Sequence, residues 1–464
     1  MNKTKPGVLT AVILGILWAG TATASKIEFK VSPSTLSFGR VHSGQASAVK
    51  TVTITNQSSS SVDISSIAPS GPYVVTADDC TPAVAAGAKC HVSVKFAPVS
   101  ASNLKGSAET GTLSISSGLG PAAVRLTGTA FGAEGLFVAN FFNDSVNVFP
   151  FGEFGNVSPI RIIGGAKTGL NYPYGLALDA KGTIYIANLH GGPDSLGSVT
   201  VYRAGSNGNA APMLNIAGDK TGLNYPWGIA VDSKGKIYVA NIGPCCEPSC
   251  GESITIYSPH ANGNVAPIAT IPADATTQLN APYGMTFDSK GNLWVADYGG
   301  GPSGVGAITA YPAGASGEVA PIVNITGDRA GDSNAGLFGT AAVTFDSKGD
   351  IFATNGLGAN VTVYSAGSNG NATPVATIGG GNTGFSVAEM NIMLDNAGNI
   401  YIANQQFGYD VSHPSAIDSW SNGGGFIEIF PPGSNGNVAY TNAIQGDNTY
   451  MNGPWGFAFG PIDR

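Results

Sequence analysis

The 464-residue chain carries a formal charge of −8, and only 11% of its residues are charged, while 66 are glycine. The length allows two or three domains, and the glycine-rich, weakly charged composition suits an all-β, turn-rich protein. No Lys/Arg stripe runs along it, so the electrostatic footprint of a nucleic-acid binder is missing.

Residues 1–24 read as a signal peptide. Lys3 and Lys5 supply the positive region, Val8–Ala19 the apolar stretch, and Ala22, Thr23 and Ala24 an A-x-A cleavage site. The apolar run is about a dozen residues, against about 20 for a spanning helix; an uncleaved anchor is the alternative. No cysteine follows the cleavage region and no second apolar stretch occurs. The expectation is a mature chain starting near Ser25, with no membrane span after cleavage, in an extracellular, cell-surface or periplasmic location. Export permits disulfides.

Residues 26–131 alternate apolar and polar side chains in short runs: Thr35–Phe38, Val49–Ile54, His91–Phe96, Thr112–Ile115 and Val124–Leu126. Period-two alternation between turn-rich stretches predicts a β-sandwich of about seven strands. Cys80 and Cys90 flank a short Pro/Gly-containing loop and are expected to pair. The words Leu36–Val41, Val52–Asn56, Cys90–Pro98 and Leu126–Gly128 resemble the immunoglobulin-like domain of the abnormal-spindle/hydin (choice-of-anchor D-like) type. That resemblance implies an adhesion or spacer module with no chemistry attached.

From 135 to 464 the chain repeats one unit. It runs from Tyr225 to Asn241, with copies starting at Tyr172, at Pro282 and, more worn, near Ala341 and Met390. A period of about 50–60 residues marks a solenoid, propeller or array. Each unit holds four short strands, in one copy Gly228–Asp232, Ile237–Asn241, Ser253–Tyr257 and Ile268–Ile271. Mostly apolar strands need cover on both faces, which radially arranged sheets provide. The words Pro-x-Gly-apolar-Ala/Thr-apolar-Asp-x-x-Gly and Val-Thr-Val-Tyr (Val199–Tyr202, Val361–Tyr364) resemble the NHL repeat. Ala342 and Asn391 replace the repeat's glycine. The second-strand word occurs six times, first at Leu136–Asn140 without an inner strand before it, and Pro454–Phe459 is an inner strand without a partner after it. The expected fold is therefore all-β: an immunoglobulin-like β-sandwich followed by a six-bladed β-propeller closed by the C-terminal strand.

The long insertions, Leu189–Gly197, Ile242–Glu252, Tyr298–Gly306 and Gln405–Gly425, all follow second strands and so share one face. Variable loops on a repetitive scaffold are where binding usually sits. The same face collects Tyr172, Tyr174, Tyr225, Trp227, Tyr283 and Trp455, a ring of Asn140, Asn188, Asn241, Asp297, Asn355 and Asn404, and Tyr409 and Trp420 of the last insertion. Aromatic rings with amides suit a protein or glycan ligand. The alternative is that Tyr-Pro pairs wedge between blades and the amides cap strand ends. Asp179, Asp232, Asp288, Asp346 and Asp395 recur in register and mark a turn. His190, His260 and His413 are too few and too scattered for a three-ligand catalytic zinc site; no metal or cofactor is expected. Cys245, Cys246 and Cys250 crowd one loop, where a disulfide of Cys246 or Cys245 with Cys250 is favoured over a vicinal bond or a soft-metal site. Non-enzymatic binding is the expected function; the alternative is the hydrolase or lyase activity, of lactonase or lyase type, that some NHL-like propellers have at the tunnel mouth.

Overall fold

The computed structural model describes residues 29–42, 46–98, 107–131, 134–244, 251–301, 304, 306–326, 335–385, 391–405 and 424–462. The expected signal segment, Cys245, Cys246, Cys250, Tyr409, His413 and Trp420 lie outside them. The described chain is all-β, with two short 3-10 turns, and no helix in it is long and apolar enough to cross a membrane. It divides into two compact units, the chain passing from the first to the second between Thr129 and Ala130.

The N-terminal unit has a four-stranded and a five-stranded sheet. Alternation drives its core: Lys89–Phe96 buries every second side chain. Val52, Ile54, Val92, Val94 and Phe96 of one sheet and Leu36, Leu113, Ile115, Val124 and Leu126 of the other are buried. Its described residues form nine strands, against the seven or so expected. One strand without a clean sequence signal, Val62–Pro69, carries a bulge between Ile64 and Ser66, which breaks the period of two. Cys80 and Cys90 form a disulfide.

The second unit consists of six four-stranded antiparallel sheets. Sheets two to five follow the chain: Pro173–Ala217, Pro226–Pro272, Pro282–Thr326 and Thr340–Gly379. Sheet six runs from Asn391 to Ile444 around the last insertion. Sheet one joins the two ends of the unit, because Pro454–Pro461 pairs with Glu134–Asn140, Leu136 opposite Phe459 and Val138 opposite Phe457. The six inner strands line one central channel, which is the arrangement of a β-propeller. Glycine is required where these strands approach: a Cβ on Gly175 would lie 2.5 Å from the Trp227 carbonyl, and one on Gly228 would run into the Tyr283 carbonyl. Apolar side chains fill the spaces between adjacent sheets, as with Tyr185, Val199 and Ile216 against Ile229, Val239 and Tyr257.

The Asn-Gly loop between third and outer strands does more than turn the chain. Each reaches back to the preceding sheet. Asn207 Oδ1 accepts the N–H of Ile162 at 3.0 Å, and Gly208 donates to the Ile162 carbonyl at 2.7 Å. The same pair of bonds links Asn262 and Gly263 to Asn215, Asn369 and Gly370 to Asn324, and Asn435 and Gly436 to Thr377. Gly317 makes the backbone bond alone, to Thr270. Gly155 of sheet one latches Ala443 and Gln445 of sheet six, so the ends of the unit are tied at a second place.

Candidate binding site at the channel mouth

The inner strand of four of the six sheets begins with the word that carries the aromatics. The residue before its first position takes a left-handed backbone in five sheets: Tyr172 (φ 52°), Tyr225 (φ 54°), Ala281 (φ 49°), Gly339 (φ 64°) and Gly453 (φ 63°). A register shift follows within two or three residues, between Pro173 and Gly175 and again between Pro226 and Ile229. Bulges of this kind re-aim a side chain. Here the residue between proline and glycine lines the channel: Tyr174, Trp227, Tyr283 and Trp455.

Their rings form one continuous array. Centroids are 4.1 Å apart for Trp455 and Tyr174, 3.7 Å for Tyr174 and Trp227, and 4.6 Å for Trp227 and Tyr283. Tyr298 stacks on Tyr283 at 4.5 Å, and Phe141 packs edge-on against Tyr174 at 5.4 Å. Tyr172 and Tyr225 flank His190 at 5.3 and 5.6 Å. Tyr174, Tyr283 and Trp455 are buried in this array, Trp227 is half-buried and Tyr172 is exposed. The indole N–H of Trp455 is buried and has no hydrogen-bond partner. Sheet five contributes Ala341 in place of an aromatic, and among the described residues the wall covers four of the six sheets. The channel below has a volume of about 370 Å³, and its described lining carries no charged side chain.

The amide ring lies behind this mouth rather than in it. Asn188, Asn241, Asp297 and Asn404, read as ligand contacts, are fully buried, as are Asn140 and Asn355. Asn188 Oδ1 accepts the N–H of Asn171, Asn241 that of Asn224, and Asp297 that of Asn280. Their other atoms turn to the third strand: Asn188 Nδ2 donates to Thr200 at 3.1 Å and Asn241 Nδ2 to Thr255 at 3.1 Å. Asn404 Nδ2 donates to the Gly384 carbonyl. The ring thus pins the residues that lead into Tyr172, Tyr225 and Ala281. These are the bonds of a strand-end cap: the side chain at the end of a second strand reaches the segment leading into its own sheet's inner strand and the third strand beside it. The Asp series behaves as a turn motif; Asp232 Oδ1 accepts the N–H groups of Lys234 and Lys236. Among the described residues the one metal-like cluster is Asp79, Cys80 and Cys90, and its two cysteines are joined.

Burial holds the Asp297 carboxyl near about 8, helped by the neighbouring Glu252 and opposed by bonds from Thr309 and the Asn280 N–H. Glu252 is itself raised by burial. One of its oxygens accepts the Ala281 N–H at 2.9 Å, and the other has no partner. Phe141, Tyr298 and Glu252 carry no repeat signal in the sequence. Glu252 closes an insertion, and Tyr298 opens one, the only hint available to inspection.

An NHL-repeat family model matches residues 223–248, the stretch that holds the clearest copy of the repeated unit. The match is confined to that one copy of the unit. No curated protein matches the chain. Among solved structures it is similar to a Bacteroides caccae protein of unknown function, with 11% identity over 70% of this chain and 98% of that one, TM-score 0.46. It is also similar to a Pseudomonas aeruginosa periplasmic gluconolactonase, with 13% identity over 71% and 99%, TM-score 0.44. A third is a catalytically inactive Staphylococcus aureus virginiamycin B lyase crystallised with quinupristin, with 12% identity over 76% and 96%, TM-score 0.37. Likenesses this distant leave function to be argued from the chain's own residues.

Proposed function

We propose that the protein is an exported binding module, and that its propeller takes a neutral, ring-bearing ligand, a glycan or an aromatic-rich segment of a protein, at the channel mouth. The observation that carries this reading is the continuous ring array of Trp455, Tyr174, Trp227, Tyr283 and Tyr298. Rigid aromatic side chains give large contact area at low entropic cost and dominate binding energy in interfaces. The uncharged lining favours a neutral ligand, and the unpaired Trp455 N–H supplies a donor. In this reading the six sheets are six blades closed by the C-terminal strand. The N-terminal unit then serves as an immunoglobulin-like spacer, and the signal-like N-terminal sequence and the Cys80–Cys90 disulfide support work outside the cytoplasm. Screening the purified protein against immobilised glycans and peptides, with Trp227→Ala as control, tests it; hits that the variant retains at full affinity would count against the mouth.

A second reading draws on Glu252. A hydrolase or lyase at the same mouth needs an acid held above the usual carboxylate range, and Glu252 is raised, has one unpartnered oxygen, and bonds the strand start that carries Tyr283. Lactone turnover by the wild type that Glu252→Gln abolishes would favour it.

A further inference from the structure

Between sheets three and four the chain departs from its own repeat, and the departures line one recess. One residue more separates Ile271 from Thr277 than separates Ile163 from Thr168, Ile216 from Thr221, Ile378 from Thr383 or Ile444 from Thr449. The residue after this threonine holds a left-handed backbone. It is glycine at Gly169, Gly222 and Gly384, Tyr450 before the closing strand, and Gln278 (φ 60°) here. Glycine takes this conformation freely. A glutamine there is strained, and strain of this kind collects at ligand sites.

Gln278 is exposed, and its side chain crosses to the outer strand of sheet four, where Asn324 Nδ2 donates to its Oε1. That bond occupies the Gln278 acceptor and leaves its Nε2 group as a donor. The two amides, with Asp274, Asn280, Thr326 and Gly301, line a recess of about 560 Å³. A Cβ on Gly301 would run into Thr326 Oγ1, so glycine is required beside that hydroxyl. One Asp274 oxygen is already held by the Thr276 and Thr277 N–H groups, at 2.8 and 2.7 Å. The polar lining is thus amides and a hydroxyl around a single, half-engaged carboxylate. Such groups donate and accept together, as sugar hydroxyls do. The recess offers a cation only one carboxylate to pair with, and it repels an anion.

The recess adjoins the aromatic wall through the chain itself. Asn280 lies three residues before Tyr283, and Gly301 three after Tyr298. The two segments are tied: the Tyr298 N–H donates to the Ala281 carbonyl at 2.9 Å, and the Gly299 N–H to the Asn280 carbonyl at 3.2 Å. Three residues reach at most about 10 Å, so a ligand a few rings long touches both. We propose that the ligand is a neutral oligosaccharide of β-1,4-linked, gluco-configured pyranoses, with one unit on the Tyr298 end of the ring array and the next units in the recess. Equatorial substituents leave such chains flat apolar faces for the rings and hydroxyl edges for the amides, the division of labour of a site with apolar walls and a few orienting polar groups. The proposal rests on the channel mouth as the binding surface and narrows its ligand to one class.

Calorimetric titration of the full chain with cello-oligosaccharides and chito-oligosaccharides, from monomer to hexamer, tests it. Gln278→Gly restores the residue of the other connections. Asn324→Thr supplies what sheets three and five carry in the same register, Thr270 and Thr377. Both are expected to fold, and their melting temperatures check that they do. The expected result is saturable binding in at least one series, tighter for the hexamer than for the dimer. Each recess variant weakens the hexamer about tenfold and leaves the dimer unchanged, while Trp227→Ala weakens both. Equal affinity for dimer and hexamer, or wild-type affinity for the hexamer in both recess variants, would overturn the recess; the mouth would stand if Trp227→Ala still weakened binding. No binding in either series would overturn the sugar assignment, and immobilised peptides would then decide the mouth separately. Binding weakened by the recess variants but not by Trp227→Ala would overturn the shared site and the mouth together.

Discussion

Tyr225 holds a left-handed backbone that glycine holds in the same register at Gly339 and Gly453. For a side chain this conformation costs about 1–2 kcal/mol, and such strain is characteristically retained at ligand sites. Tyr225→Gly is expected to leave the melting temperature unchanged or higher while weakening ligand binding; a lower melting temperature with intact binding would make Tyr225 a packing residue. Asp297 is the one acid in a ring of amides. Its carboxyl stays protonated in the fold up to about 8, against 3.8 for an unhindered aspartate. A raised folded value means that its contribution is complete below pH 3.8 and is lost as pH rises from there towards 8. Asp297→Asn supplies the amide of the other sheets and removes this loss. Urea unfolding at pH 5 and pH 8 should show the wild type losing more stability between the two than the variant; equal losses would contradict the burial argument.

At the scale of elements, the Asn-Gly latch and the aromatic strand start divide the labour between stability and binding. Asn207→Ala removes the bond to the Ile162 N–H and is expected to cost about 0.5–1.5 kcal/mol without changing ligand affinity. Reduction of Cys80–Cys90, which closes a loop with a sequence separation of 10, is expected to cost the N-terminal unit about 2–3 kcal/mol in the chain-entropy model; calorimetry with and without reductant checks it, and an unchanged transition would refute it. Much of this level was legible in the sequence. The repeated words placed the inner, second and third strands and the Tyr-Pro-aromatic-Gly starts, because each word encodes a local requirement: apolar cover, a turn, a close approach. The latch was not legible, since Asn207 and Gly208 read equally well as a turn within one sheet. The amide ring was legible as a recurring residue but its hydrogen bonds were not, because its partners, Asn171 and Asn224, lie 17 residues earlier and become neighbours only when the sheet folds.

Across the whole molecule, the ring of sheets depends on the two ends of the unit. Pro454–Pro461 supplies the inner strand of sheet one, and its removal would expose the edge of Glu134–Asn140, a template for association. A chain ending before Pro454 is expected to aggregate; a soluble truncation with the parent melting temperature would contradict this pairing. The same strand brings Trp455 to Tyr174, so closure and the aromatic wall are built together, and Trp455 is a poor probe of binding alone. Trp227 is half-buried and lies on an internal strand, which makes it the cleaner one. The most direct test is therefore the affinity of Trp227→Ala, beside Asn207→Ala, for a glycan or peptide captured by the wild type. Binding lost in Trp227→Ala at an unchanged fold, and kept in Asn207→Ala, is the predicted result. Binding kept in Trp227→Ala and lost in Asn207→Ala would put the working surface on the latch side and contradict the account.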